Sequence, residues 1–239
     1  MSRNRTVVLT TIVSFTALAP TSPRALHERP EMGRIAGTVE VSSALAQRRP
    51  RFRIYSEAGQ GNVPPAHGAA RDEITAELRN VVVYLETDSA NVLTADTLRA
   101  VPLRRGVMAQ SNERFDPHVL AVVQGARVDF PNRDDIYHNV FSLSSARTFD
   151  LGRYRKGSSK SVVFTKAGDM SGIILLLGNP FFAVPETSGR YAVEDVPPGE
   201  YTIVGWHERA KPVTRRVRVV AGQTTTINFV LPLEARPPQ

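Results

Sequence analysis

The chain has 239 residues, with 30 Lys and Arg against 23 Asp and Glu, and no cysteine. The lack of cysteine excludes disulfides, thiolate metal sites and cysteine nucleophiles. The length suits one large β domain or two small ones. Plentiful Pro and Gly, short valine-rich runs and no sustained 3.6-residue period predict an all-β class.

The N-terminus reads MSRNRTVVLTTIVSFTALAPTSPRALHE. Arg3 and Arg5 precede an apolar run from Val7 to Ala19 that is short for a bilayer span, and small residues follow. This is the pattern of a secretory signal peptide, expected over residues 1–25, with an uncleaved anchor as the alternative. Removing that segment takes away Arg3, Arg5 and Arg24 and no acid, so the formal +7 falls to +4. Export to the periplasm or beyond makes nucleic acid a poor partner. The basic balance then points to an anionic surface or an acidic protein.

Strands follow in chain order. GRIAGTVEV (33–41) alternates as a half-buried strand does, and RNVVVYLE (79–86) is apolar enough for burial on both faces. Residues 42–78, rich in Arg, Pro, Gly and Ala, read as a long surface loop. RFDPHVLAVVQGARVDFPNRDD (114–135) gives two short strands around Gln124-Gly125, ended by Pro131, which has no N–H to donate. HNVFSLS (138–144) is another strand, and FDLGRYRKGSSKSVVFTKAGD (149–169) reads as strand, turn, strand. GIILLLGNPFFAV is too short for a membrane helix and is broken by Gly178, Asn179 and Pro180, so no membrane span is expected in the mature chain. Ser188-Gly189 offers a left-handed position, and Pro198-Gly199 suits the centre of a type II turn. VTRRVRVVAG and TTTINFVLPL then read as a final hairpin around Ala221-Gly222-Gln223.

Two resemblances arise from these segments. FDPHVLAVVQGARVDFPNRDDIYHNVFSLS, FDLGRYRKGSSKSVVFTKAG and MSGIILL resemble the cupredoxins, the small blue copper proteins, and within them long exported bacterial forms of the methylamine-utilisation type. The resemblance covers roughly a third of the chain and implies a Greek-key β-sandwich, plastocyanin-like, for residues 106–175. It also implies copper as the cofactor, with His138 as the first ligand and Met170 as the axial one. The stretch that should supply a Cys and a second His before Met170 is missing from VVFTKAGDMSGIILL. The chain therefore departs from the family by a gap, and the expected copper site is incomplete.

The second resemblance is to the carboxypeptidase regulatory-like, transthyretin-like β-sandwich. It rests on Gly33, Gly37 and Val39 in the opening strand, on SGRYAVEDVPPGEYTI (188–203) and on the closing segment 213–231. It implies a split sandwich, residues 33–105 and 176–232, with the cupredoxin-like unit inserted. The alternative is a tandem in which 33–86 serve the cupredoxin-like unit. On the insertion reading, deleting residues 107–175 should leave a small folded domain.

Candidate site residues are few. His138 and Met170 together are one good copper ligand and one poor one, against the two His, one Cys and weak Met of a type 1 site. His118 could approach His138 if their strands pair. His207, in WHE, could form an exposed binding tip, although packing of Trp206 over the sandwich end is the plainer reading. His27 lies near the cleavage region and His67 in the Pro/Gly loop. Asp134 and Asp135, in PNRDD, read as turn chemistry before acid–base chemistry. Arg153, Arg155, Lys156 and Lys160 cluster in one hairpin and offer an anionic docking patch, against the alternative of a solvated turn. No Ser-His-Asp spacing, phosphate-cradling Gly loop or zinc motif is present. The sequence thus reads as an exported, non-enzymatic binding or scaffold protein without a cofactor, with a copper-binding electron carrier as the alternative.

Overall fold

The computed structural model describes residues 31–42, 69–86, 105–144, 147–165, 168–170 and 174–232. In chain order the elements are β1 (Gly33–Val41), α1 (Ala69–Leu78), β2 (Val81–Leu85), β3 (Gly106–Val107), β4 (Ala109–Ser111), β5 (Arg114–Asp116), β6 (Leu120–Val123), β7 (Arg127–Pro131), β8 (Phe141–Ser144) and β9 (Arg147–Asp150). They continue with β10 (Ser159–Val163), β11 (Gly168–Met170), β12 (Ile174–Leu177), β13 (Phe182–Ala183), β14 (Arg190–Val196), β15 (Gly199–His207), β16 (Val213–Val219), β17 (Thr224–Thr226) and β18 (Phe229–Leu231). Among the described residues the chain is all-β apart from α1. That helix lies where the sequence reading expected loop. ARDEITAEL is built of good helix formers, and Ile74 and Leu78, one turn apart, both reach the hydrophobic core.

The sheets stack in layers. β1 pairs antiparallel with β14 on one edge and parallel with β17 and then β18 on the other. Strand 33–41 therefore shares a sheet with strands from 190–231, the pairing expected of it. The facing sheet has the order β13-β2-β15-β16. Between the two lies a core of Ile35, Val39, Val81, Val83, Leu85, Ile203, Val217 and Phe229. Strands β3 to β12 fall in sequence between β2 and β13, which pair with each other. They form a second sandwich, with β10-β7-β3 facing β11-β12-β6 across Met108, Val128, Phe130, Val162, Phe164, Ile174 and Leu176.

The two sandwiches are joined back to back. Val82, Val204 and Trp206 on the outer face of β2 and β15 meet Val119, Ala121, Leu175 and Leu177 on the outer face of β6 and β12. This explains why VVVYL and ILLL lack alternation. Each strand belongs to an inner layer and buries both faces, one in its own core and one in the joint. Fully burying a side chain of this size contributes about 1.5–3 kcal/mol.

The turns set where the chain changes layer. Ser188-Gly189 supplies the left-handed residue as expected, with Gly189 at φ +81°. Pro198-Gly199 does not form the expected turn centre. Gly199 opens β15 directly, and the left-handed position falls on Asp195 at φ 54°. The expected final hairpin is also absent. After Gly222, at φ +67°, the chain leaves the β16 sheet, and β17 and β18 run parallel to β1 in the other. Gly37 permits this crossover, since a Cβ there would lie 1.8 Å from the Ile227 carbonyl oxygen.

Candidate binding surface around His138

The His138 corner is built from turn chemistry. Asn132, fully buried after Pro131, donates its amide to the carbonyls of Ile136 (2.8 Å) and Tyr154 (3.1 Å) and accepts the N–H of Asp134 at 2.8 Å. PNRDD is therefore an Asx turn, as its residue types suggest. The Asp134 carboxylate accepts the N–H groups of Asn112 (2.7 Å) and Glu113 (2.9 Å). Those two residues form the left-handed turn between β4 and β5, with φ of 53° and 60°. The Glu113 N–H above all, with help from His138, holds the Asp134 carboxyl below its ordinary range.

His138 closes the corner. Its N–H and carbonyl exchange hydrogen bonds with Tyr154 at 3.1 and 2.9 Å, and its Nε2 lies 2.7 Å from Asp134 Oδ2. A carboxylate can only accept, so Nε2 donates to Asp134, an arrangement that in the neutral ring leaves the lone pair on Nδ1. A carboxylate orients metal-binding histidines in the same way, but the remaining donors do not fit a type 1 copper. The chain has no cysteine, and β11 passes straight from Gly168 to Met170 into a pairing in which Met170 sits opposite Ile174. His118 does not approach His138. Its Nε2 instead meets Glu208 of the other sandwich at 2.8 and 3.0 Å. Among the described residues, no group of three or more His, Asp or Glu side chains is placed to hold a metal ion. His27 and His67 lie outside the described residues.

His207 is a buried core residue and not an exposed tip. Its Nε2 lies 3.0 Å from Glu77 Oε2, and its Nδ1 accepts the Arg209 N–H at 3.1 Å. Glu77 lies on α1, in a stretch whose composition reads as loop. No local pattern pairs a helix carboxylate with a histidine far along the chain.

The surface beside His138 is apolar. Ile136 is 49% exposed, Tyr137 59%, Phe141 62% and Leu143 82%. Phe141 and Leu143 alternate along β8 and face outward while Val140 and Ser142 turn inward, and Ile136 and Tyr137 are exposed in the turn that precedes the strand. The four predicted cations are not a uniform patch. Lys160 turns back onto the Leu151 carbonyl and the Tyr154 ring. Lys156 pairs with Asp135 at 2.7 Å, and Arg153 stacks on Tyr137 at 5.6 Å. Arg155 is exposed. Nearby, Asp150 is capped by the Gly152 N–H at 2.8 Å, which lowers its pKa, with Asn139 adding to the effect.

No family model matches the chain, and no curated protein does. Among solved structures, reduced Cu(I) amicyanin at pH 4, in a variant form, aligns at 17% identity over 33% of this chain and 88% of its own, with a TM-score of 0.26. A Cu-containing nitrite reductase from Thermus scotoductus aligns at 18% identity over 48% of this chain and 22% of its own, with a TM-score of 0.25. The chain thus spans under a quarter of that reductase.

On the outer face of β7 the structure adds a buried carboxylate, Asp129, that no local sequence pattern marks. Asp129 is held by Arg105, by Arg127 at 3.2 Å and by the Ser161 hydroxyl at 2.5 Å. These partners, Arg105 first, pull its pKa down to about 2. A depressed carboxyl contributes stability that is complete above the unfolded pKa near 4 and is lost as pH falls through about 2. Asp129→Asn should therefore cost on the order of 1–2 kcal/mol at neutral pH and leave stability flatter than wild type between pH ~4 and ~2. Urea midpoints measured across that range check it. Parallel pH profiles would refute the assignment.

Proposed function

We propose that this chain is an exported, non-enzymatic binding protein of the cell envelope, in which a cupredoxin-like sandwich has lost half of its copper ligands. The observation carrying the reading is the pairing of a lone, carboxylate-oriented His138 with an adjacent solvent-facing apolar surface in a chain that has no thiol. Exposed patches of large apolar side chains mark interaction surfaces. The same observation supports a protein partner at this end of the molecule, with Arg153 and Arg155 at its rim. The pairing of β1 with β14, β17 and β18 supports reading the outer sandwich as carboxypeptidase regulatory-like, with the cupredoxin-like unit inserted.

A copper electron carrier is the second reading, and His138 Nδ1 is what favours it. One experiment separates the two. Protein recovered from the envelope of the native host is weighed, then titrated with Cu(II), followed by visible spectroscopy and dialysis against chelator. We expect a mature start between residues 20 and 32, no strong blue absorption, since that colour comes from copper–thiolate bonding, and no retained metal. Intact Met1 in a soluble fraction would remove the export claim. One equivalent of copper that survives chelator and disappears in His138→Ala would restore the electron carrier.

A further inference from the structure

The outer face of the β10-β7-β3 sheet carries a cluster that the His138 corner does not use. The register sets Val107 and Ser161 on either side of Asp129. One step along, it sets Val163 beside Arg127 and brings Arg105, the residue before β3, to the other side. Two arginines are thus neighbours on one open sheet face, where like charges repel. The Asp129 carboxylate, only 5% exposed, lies between them and accepts from both.

The network is directional. One Asp129 oxygen takes Arg105 Nε, and the other takes Arg127 Nε at 3.2 Å and the Ser161 hydroxyl at 2.5 Å. Ser161 Oγ in turn accepts Arg127 Nη2 at 2.8 Å. Both arginines are therefore pinned through Nε. Among the described residues, the two Nη groups of Arg105 and Nη1 of Arg127 meet no further acceptor, and the two side chains are 68% and 59% exposed. Two planar donor forks held still by a buried acceptor are pre-organised for an anion, because the side-chain freedom that binding would cost is already lost on folding.

Charge and surroundings select the occupant. Two guanidiniums and one carboxylate leave a local +1, which a monoanion balances and a phosphate dianion exceeds. Val107 and Val163, each close to half exposed, flank the donors on the same face. A carboxylate with a short apolar tail meets both features. We propose that this face binds an apolar monocarboxylate, with Arg105 and Arg127 holding the carboxylate, the two valines meeting the tail, and Asp129 and Ser161 positioning the arginines. The site is independent of the apolar surface around His138.

The test titrates the full mature chain with hexanoate, acetate and inorganic phosphate at constant ionic strength, following the arginine Nε–H and valine methyl signals by NMR. We expect saturable shifts at Arg105, Arg127, Val107 and Val163 with hexanoate, at a Kd on the order of 1–10 mM. Acetate should bind about tenfold more weakly for want of the tail. R105Q and R127Q should each weaken hexanoate at least about fivefold, while R216Q, on β16, should leave it unchanged. Asp129→Asn separates positioning from charge. It raises the local charge from +1 to +2, so attraction by charge alone would tighten binding, whereas loss of the positioning carboxylate should weaken it at least about threefold. Tighter binding in Asp129→Asn, an equal loss in R216Q, phosphate as tight as hexanoate, or no saturable shift at the two arginines would each overturn the proposal. If Asp129→Asn lacks a melting transition, R105Q and R127Q carry the test.

Discussion

Glu77→Ala should destabilise the protein by about 3–5 kcal/mol, the usual cost of removing one member of a buried ion-paired cluster. The Glu77 carboxylate is buried and accepts from three directions: His207 Nε2 at 3.0 Å, Arg209 Nη1 at 3.3 Å and the Asn80 amide at 3.2 Å. Removing it leaves donors turned toward a vacated space in which His207 has no access to water. His207 cannot swing away easily, because its Nδ1 is held by the Arg209 N–H. For a chain of this length the loss corresponds to a fall in melting temperature of roughly 10 °C. Glu77→Gln, which keeps one acceptor, should cost less than alanine. Thermal and urea unfolding of both variants check the order. A loss below about 1 kcal/mol for alanine would mean that water enters and that α1 is not fastened by this residue.

Removing residues 105–177 should not leave the small soluble domain that the split organisation of the sequence suggests. Excision uncovers the joint, exposing Val82, Val204 and Trp206 with Tyr84 and Phe182 beside them. Five large side chains at about 1.5–3 kcal/mol each place on the order of 10 kcal/mol of burial at stake. A contiguous apolar face of that kind drives self-association. We expect the excised chain to aggregate or to run as oligomers on size exclusion. V82T/V204T/W206S in the same background should restore a monomer, because the inner core around Ile35, Leu85, Ile203 and Phe229 is untouched. A soluble monomer obtained without those substitutions would show the joint to be dispensable.

Much of the strand content was legible in the sequence, because alternation and turn residues are local signals. GRIAGTVEV, SVV and RVDFP fold where their periodicity puts them. What was not legible is which sheet each strand enters. Ala221-Gly222-Gln223 reads as a hairpin turn and Gln124-Gly125 as a turn between two strands, yet β17 pairs with β1 and β6 pairs with β12. A turn fixes the direction of the chain, while the choice of layer is made by side chains distant in sequence, such as Phe229 against Gly205. The site divides in the same way. The Asx turn of Asn132 and Asp134 could be read from residue types alone. The partners of His118 and His207 could not, since Glu208 and Glu77 are 90 and 130 positions away.

The position of β1 sets an order of events in time. As the chain leaves the ribosome, Gly33–Val41 emerges first, yet its ladder partners are Arg190–Val196, Thr224–Thr226 and Phe229–Leu231. Between them the whole inner sandwich is synthesised, with strands that pair among themselves. That unit can close early through comparatively local contacts, whereas β1 remains an open, half-apolar edge until its partners between residues 190 and 231 are available. Long-range closure of this kind is slow, and an unpaired strand is prone to wrong pairing while it waits. A nascent chain stalled before residue 190 would therefore carry a finished inner body and an outer one without its central strand's neighbours, and this is the interval in which a holding chaperone would matter most.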